Sequence, residues 1–128
     1  MLQILRQNKI QATIAGHAGN GNFHIIPLMD LSNEGERKKI VPVMRQIHEL
    51  IWDHGGTISG EHNDGILRTP FVEEQFGTDM YKLFREVKRI FDPNNIFNPG
   101  KKIGGTVKDL EDSLLKENPK QTTKQIYA

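Results

Sequence analysis

The sequence predicts an α+β domain: a small antiparallel sheet with helices packed on one face. Three observations carry that expectation. Asn20-Gly21 sits between two short stretches with strand-like composition, Gln11 to His17 and Phe23 to Asp30. Ile40, Met44, Ile47 and Ile51 recur at helical spacing. So do Met80, Leu83, Phe84, Val87 and Ile90.

Taken in order, Met1 to Asn8 carries Leu2, Ile4 and Leu5 and reads as the end of a helix. Gln11–His17 and Phe23–Asp30 form a hairpin, with Pro27 restricting the second strand to an edge or a bulge. A two-residue turn at Asn20-Gly21 needs φ > 0 at both positions, which Asn and Gly tolerate. Centred there, the turn sets His17 directly opposite His24, on one face of the ribbon. Asn33, with Glu36 three residues on, resembles a capping box opening a helix to about His54. Pro42 inside that helix predicts a kink or a late start, and Gly55-Gly56 stops it.

Thr57-Ile58-Ser59 is expected as a short third strand leading into the polar cluster Gly60-Glu61-His62-Asn63-Asp64-Gly65. Thr69 as N-cap and Pro70 at the first helical position start a short helix that Gly77 ends. Thr78 caps the next helix, which runs to Phe91 with Met80, Leu83, Phe84, Val87 and Ile90 as its buried face. Lys82, Arg85, Lys88 and Arg89 lie mainly on its solvated side. Asp92-Pro93 ends it, and Asn94 to Lys102 is a turn-rich segment. Residues 1–104 are thus expected as one domain. Residues 105–128 are expected as a weakly structured tail or linker, in which Leu110, Leu114 and Leu115 form at most one weak helix.

The chain has 128 residues, 36% hydrophobic and 26% charged, as a globular domain with a core requires. A net charge of +1 gives no electrostatic case for nucleic acid or an acidic membrane surface. With no cysteine there is no disulfide, thiolate metal site or catalytic thiol. No dinucleotide fingerprint or phosphate loop is present, and no signal peptide or membrane-spanning stretch stands out.

Chemistry concentrates in two places. His17 and His24 converge at the hairpin, where two imidazoles suit a shared metal ion; the competing interpretation is a tight turn with two incidental polar histidines. A third ligand has to come from elsewhere, and Gly60-Glu61-His62 offers a carboxylate and another imidazole. Two histidines, a glutamate and open positions suit catalytic Zn²⁺ or a similar divalent ion. His48, at the margin of an apolar stripe, and His54, in a last helical turn, read as structural.

GHAGNGNFH, then SGEHNDG, then FDPNNIFNPGKK, in that order and at those distances, resemble the C-terminal domain of the FAD-linked oxidases. These are the D-lactate, glycolate and D-2-hydroxyglutarate dehydrogenase group of the vanillyl-alcohol-oxidase-type flavoproteins. The likeness runs from about Ile10 to Gly104. It implies the C-terminal part of a larger flavoprotein fold whose FAD-binding domain lies N-terminal to this region. It implies His17, His24 and Glu61 as ligands of a divalent metal, with zinc expected, and His62 as the general base. It also implies Asn98 and Lys101 as flavin contacts. Arg68 is a candidate for the substrate carboxylate; a surface salt bridge is its plainer role.

The chain departs from the family pattern at Asn20, where many relatives have Asp, and at EHNDG, where many have EHGIG. The Asn-Asp version is similar to larger members with an iron–sulfur domain, making such a domain or subunit an expected partner. The expected location is cytoplasmic, with peripheral attachment to the inner membrane as a variant, and a homo-oligomer is a further expectation. The rival reading is a stand-alone α+β module that binds a metal or a protein without redox chemistry.

Overall fold

The computed structural model describes residues 1–114. It is α+β, with a two-stranded antiparallel sheet and several helices. The chain divides into two compact units. Of the described residues, the first comprises Met1–Ile47 and Leu114; the second is His48–Ser113.

The first unit opens with α1 (Leu2–Gln7). Lys9 takes a left-handed φ of 55°, and the Lys9 and Ile10 amides donate to the Arg6 and Leu5 carbonyls, closing the helix end. Strands β1 (Gln11–Ala15) and β2 (His24–Leu28) then pair, from Gln11 opposite Leu28 to Ala15 opposite His24. Both strands of a two-stranded sheet are edges, so Pro27, opposite Ala12, takes no donor from a continuous ladder. Leu5, Ile10 and Val43 are buried apolar side chains of this unit.

Helix α2 (Glu34–Asp53) begins where expected. The Asn33 side-chain oxygen accepts from the amides of Gly35 (2.8 Å) and Glu36 (3.4 Å), satisfying donors that the first turn leaves open. Pro42 neither delays nor breaks it: the helix continues through that position to Asp53. The boundary between the two units falls inside α2, between Ile47 and His48. Gly55, at φ 70°, ends the helix, and the Gly56 and Gly55 amides donate to the Ile51 and Trp52 carbonyls.

The second unit is helical throughout its regular elements. The expected third strand at Thr57–Ser59 is not formed. Ile58 is buried, but its N–H donates to the Gln75 side chain (2.7 Å) and its carbonyl accepts from Arg68 (2.8 Å). Side chains thus satisfy the backbone groups a neighbouring strand would have paired. Next come α3 (Gly65–Arg68), a 3₁₀ turn at Thr69–Phe71 with Pro70 in its first positions, and α4 (Val72–Phe76). Thr69 does not cap a helix as expected; its hydroxyl donates back to the Gly65 carbonyl. Gly77, at φ 79°, separates α4 from α5 (Thr78–Phe91), and α5 has no side-chain cap from Thr78.

Phe71, Val72 and Leu110 are fully enclosed, and Ile58 and His48 are also buried. Leu110 belongs to α6 (Val107–Ser113), which contacts α3, so the stretch expected as a loose tail begins with a packed helix. Leu115 and the expected disordered tail lie outside the described residues. The apolar stripe of α5 does not form a buried face: Met80, Leu83, Val87 and Ile90 are 45–70% exposed, and Phe91, Ile96 and Phe97 are also open. Among the described residues, no helix is long and apolar enough to cross a membrane.

Candidate metal centre

The hairpin brings two imidazoles together, by a different register from the simplest one. Only Gly21 is left-handed (φ 65°); Asn20 ends a 3₁₀ turn over Ala18–Asn20. The Asn20 and Gly21 amides donate to the His17 and Ala18 carbonyls (2.8 and 3.1 Å). His17 and Asn22 exchange backbone hydrogen bonds in both directions, at 3.0 and 3.3 Å. The loop therefore has four residues, Ala18 to Gly21, and His17 stands opposite Asn22 rather than His24. The pairing has slipped by two residues from the expected one, and side chains alternate with a period of two, so both histidines keep the same face. They become diagonal neighbours, still within reach. Their ring centroids are 5.5 Å apart with planes at 85°. Two imidazoles on one tetrahedral zinc, with Zn–N near 2 Å, place their centroids roughly 5 Å apart. The pair therefore fits a shared divalent ion.

Gly16 makes this loop possible. Its φ is 148°, and a Cβ there would lie 2.2 Å from the Asn22 carbonyl oxygen and 2.9 Å from the Phe23 Cα. Both obstacles are backbone, so no side-chain rotation relieves them. The two arms approach this closely between the paired positions Ala15–His24 and His17–Asn22.

Glu61 and His62 lie in the second unit, on the bend between Ser59 and α3. Neighbouring side chains on an extended chain point apart. Here Asn63, at φ 57°, supplies the turn, and the His62 Nε2 comes within 3.5 Å of the Glu61 carboxylate. Both are open to solvent, His62 with 67% of its side chain exposed. A carboxylate and an imidazole are thus presented side by side on one solvent-facing bend.

Arg68 is half-buried at the end of α3 and spends one donor on the Ile58 carbonyl. Asn98 and Lys101 form the ends of one turn, with Asn98 at φ 49° and the Lys101 amide donating to the Asn98 carbonyl (3.2 Å). Both side chains are exposed, as contact with an external group requires. The segment is held from behind by Asp92, which is buried and accepts from the Ile96 and Phe97 amides (2.8 Å each) and from the Lys88 ammonium. Burial pushes the Asp92 carboxyl up, but the Lys88 ammonium and the two amides outweigh it and hold the group below its ordinary range. His48 and His54 are away from these groups in their chemistry. The His48 ring packs edge-on against Phe71 (4.7 Å), and the His54 Nδ1 lies 2.8 Å from the Leu50 carbonyl.

One group of residues gave no local signal. Asp64, with its side chain fully enclosed, accepts from the Ser59 hydroxyl and from the Lys102 ammonium (2.6 Å). The Lys102 amide donates to the Thr69 hydroxyl (2.7 Å). Asp64 and Lys102 are 38 residues apart, beyond any helical or turn periodicity.

Comparison with known proteins agrees with these motifs. The family model for FAD linked oxidases, C-terminal domain, matches residues 1–102. The chain is 42% identical over 87 residues to a D-lactate dehydrogenase of Anaerostipes hadrus, covering 67% of this chain and 18% of that protein. It is 37% identical over 86 residues to the glycolate oxidase subunit GlcD of Bacillus subtilis, covering 67% of this chain and 18% of that protein. It is 34% identical over 98 residues to a D-2-hydroxyglutarate dehydrogenase of Haemophilus influenzae, covering 77% of this chain and 9% of that protein. The matched part is thus less than a fifth of each of these three relatives. The length of the family match places the chain among the FAD-linked oxidases, as a C-terminal domain of that family.

Proposed function

We propose that this chain is the substrate-facing C-terminal domain of an FAD-dependent dehydrogenase that oxidises a D-2-hydroxy acid, of the lactate, glycolate or 2-hydroxyglutarate type, to the 2-keto acid. The carrying observation is the His17–His24 pair, set face to edge at 5.5 Å in a loop of a family whose named relatives act on such acids. His17, His24 and Glu61 are the residues that would hold a divalent metal, zinc by their nitrogen-and-carboxylate donor set. Such an ion, when bound, lowers the pKa of the substrate hydroxyl as a Lewis acid.

Oxidation at C2 removes a proton from the hydroxyl and a hydride from the carbon. His62 takes the proton: a neutral imidazole is suited to a general base near neutral pH. Its exposure leaves it accessible to an incoming acid. Arg68 pairs with the substrate carboxylate through donors other than the one spent on Ile58. FAD, which would supply the hydride acceptor when bound, would be held mainly by an N-terminal domain, with Asn98 and Lys101 as contacts from this one. An iron–sulfur domain or subunit would serve as the electron-transfer partner, and the proposed location is cytoplasmic or peripheral to the inner membrane.

The test is His62→Ala in the full-length parent. Turnover should fall by about 10²–10⁴-fold, the usual contribution of a general base, with flavin and metal still bound. Unchanged turnover would remove His62 from the mechanism.

A second reading, a metal- or protein-binding module without redox activity, draws on the open apolar stripe of Leu83, Val87 and Ile90. Under it, the isolated chain binds a partner protein with an affinity independent of any flavin domain. Under the first reading, the partner recovered is the flavin-holding domain itself.

A further inference from the structure

The loop that carries Glu61 and His62 is closed by a polar network built on the enclosed Asp64 carboxylate, with Ser59 and Lys102 half-buried around it. Ser59 and Asp64 stand at its two ends, and the Ser59 hydroxyl donates to the Asp64 carboxylate. The four residues between them, Gly60 to Asn63, are therefore spanned by one side-chain hydrogen bond. The same carboxylate takes the Lys102 ammonium at 2.6 Å, with the Asp64 side chain at 0% exposure.

Lys102 is itself pinned at several points. Its amide donates to the Thr69 hydroxyl, and its ammonium lies 5.3 Å from the ring centroids of both Phe76 and Phe84. Its backbone is left-handed (φ 72°), as is that of Asn63 (φ 57°). Left-handed conformations at non-glycine residues persist only where the surroundings over-determine them. Here one adjoins Asp64 and the other is Lys102 itself.

A buried ion pair is poor evidence for stability, because desolvation of both charges offsets their attraction. Its better-attested role is to fix one arrangement against alternatives. We propose that Asp64 and Lys102 are positioning residues: the pair of the enclosed Asp64 carboxylate with the half-buried Lys102 ammonium, together with Ser59 and Thr69, locks the Gly60–Asn63 loop so that Glu61 and His62 are presented in one geometry. This rests on the functional reading of Glu61 and His62 above, and it links the Gly60–Gly65 cluster to the Asn98–Lys102 turn through the protein interior.

The experiment uses the whole chain, labelled with ¹⁵N, as wild type, Asp64→Leu, Lys102→Met and the double variant. Thermal unfolding, backbone relaxation at Gly60, Glu61, His62 and Asn63, and Zn²⁺ affinity are measured on each. Lys102→Met leaves the enclosed Asp64 carboxylate uncompensated and lowers stability most, whereas Asp64→Leu leaves an ammonium that water reaches and costs less. The double change removes both charges and restores much of it. A purely structural pair would recover loop order along with stability. A positioning pair would not: order parameters in the loop should fall from about 0.85 to below about 0.6 in the double variant, and Zn²⁺ affinity by about 10–100-fold. Loop order at the wild-type level in the folded double variant would overturn the proposal, as would zinc affinity unchanged from a zinc-binding wild type. If the wild-type chain binds no zinc by itself, the order parameters alone decide the role of Asp64 and Lys102.

Discussion

Replacing Gly16 with alanine should damage the hairpin far more than the same change three residues away at Gly19. At Gly16 the added methyl would sit 2.2 Å from the Asn22 carbonyl oxygen and 2.9 Å from the Phe23 Cα, at a φ of 148°. The conformational strain alone is on the order of 1–3 kcal/mol. Relieving the overlap requires the two arms to part, which strains the paired His17–Asn22 hydrogen bonds, each with a net value of about 1 kcal/mol. Together these give about 2–4 kcal/mol. At Gly19 a Cβ meets nothing within 4 Å, and the φ is not in the left-handed region. There alanine should be neutral, or stabilising by about 0.4–1 kcal/mol through the unfolded chain. Urea unfolding of both variants beside wild type measures the difference, with the hairpin followed by the amide resonances of Thr13 and Ile25. If Gly16→Ala falls within about 0.5 kcal/mol of Gly19→Ala, the close approach at Gly16 does not constrain the loop and the reasoning fails.

Other consequences follow from burial and charge. Phe71→Ala, at a fully enclosed ring, should cost about 3–5 kcal/mol. Ile90→Ser, at a side chain 70% exposed, should stay within about 0.5 kcal/mol in this chain, despite its place on a regular apolar stripe; equal losses in urea unfolding would contradict the burial pattern. Asp92 has a folded-state pKa held below its unfolded value, so its contribution is present above about pH 4 and lost as pH falls through the folded value. The stability gap between wild type and Asp92→Asn should therefore narrow on acidification below about pH 4, and a gap constant from neutral pH to pH 2.5 would show that the charge is not what holds the Ile96–Phe97 turn.

The sequence carried the hairpin, the long helix and the convergence of His17 and His24 because each is a local pattern: turn residues, 3.6-residue spacing, a cap at Asn33. The register was missed because Asn20-Gly21 fits a two-residue turn as well as the end of a longer loop, and only the backbone angles decide. The consequence was small, since a two-residue slip preserves the face. The Thr57–Ser59 segment looked like a strand because its alternation was sound. What satisfies its backbone is Gln75, 17 residues on, and Arg68, 10 residues on, which no local pattern reports. The α5 stripe shows the complementary limit: periodicity identifies an apolar face, not what covers it. Asp64 and Lys102 were invisible for the same reason as Gln75, being partners only through the fold.

The central proposal is that His17, His24 and Glu61 hold one divalent ion, and elemental analysis tests it most directly. Metal content would be measured on this chain and on the flavin-loaded full-length parent, as wild type and as His17→Ala, His24→Ala and Glu61→Ala. One zinc or similar ion per wild-type parent, lost in every variant while flavin is retained, is the predicted result. A flavin-loaded parent that turns over with no bound metal, or one that keeps its metal in all three variants, would contradict it.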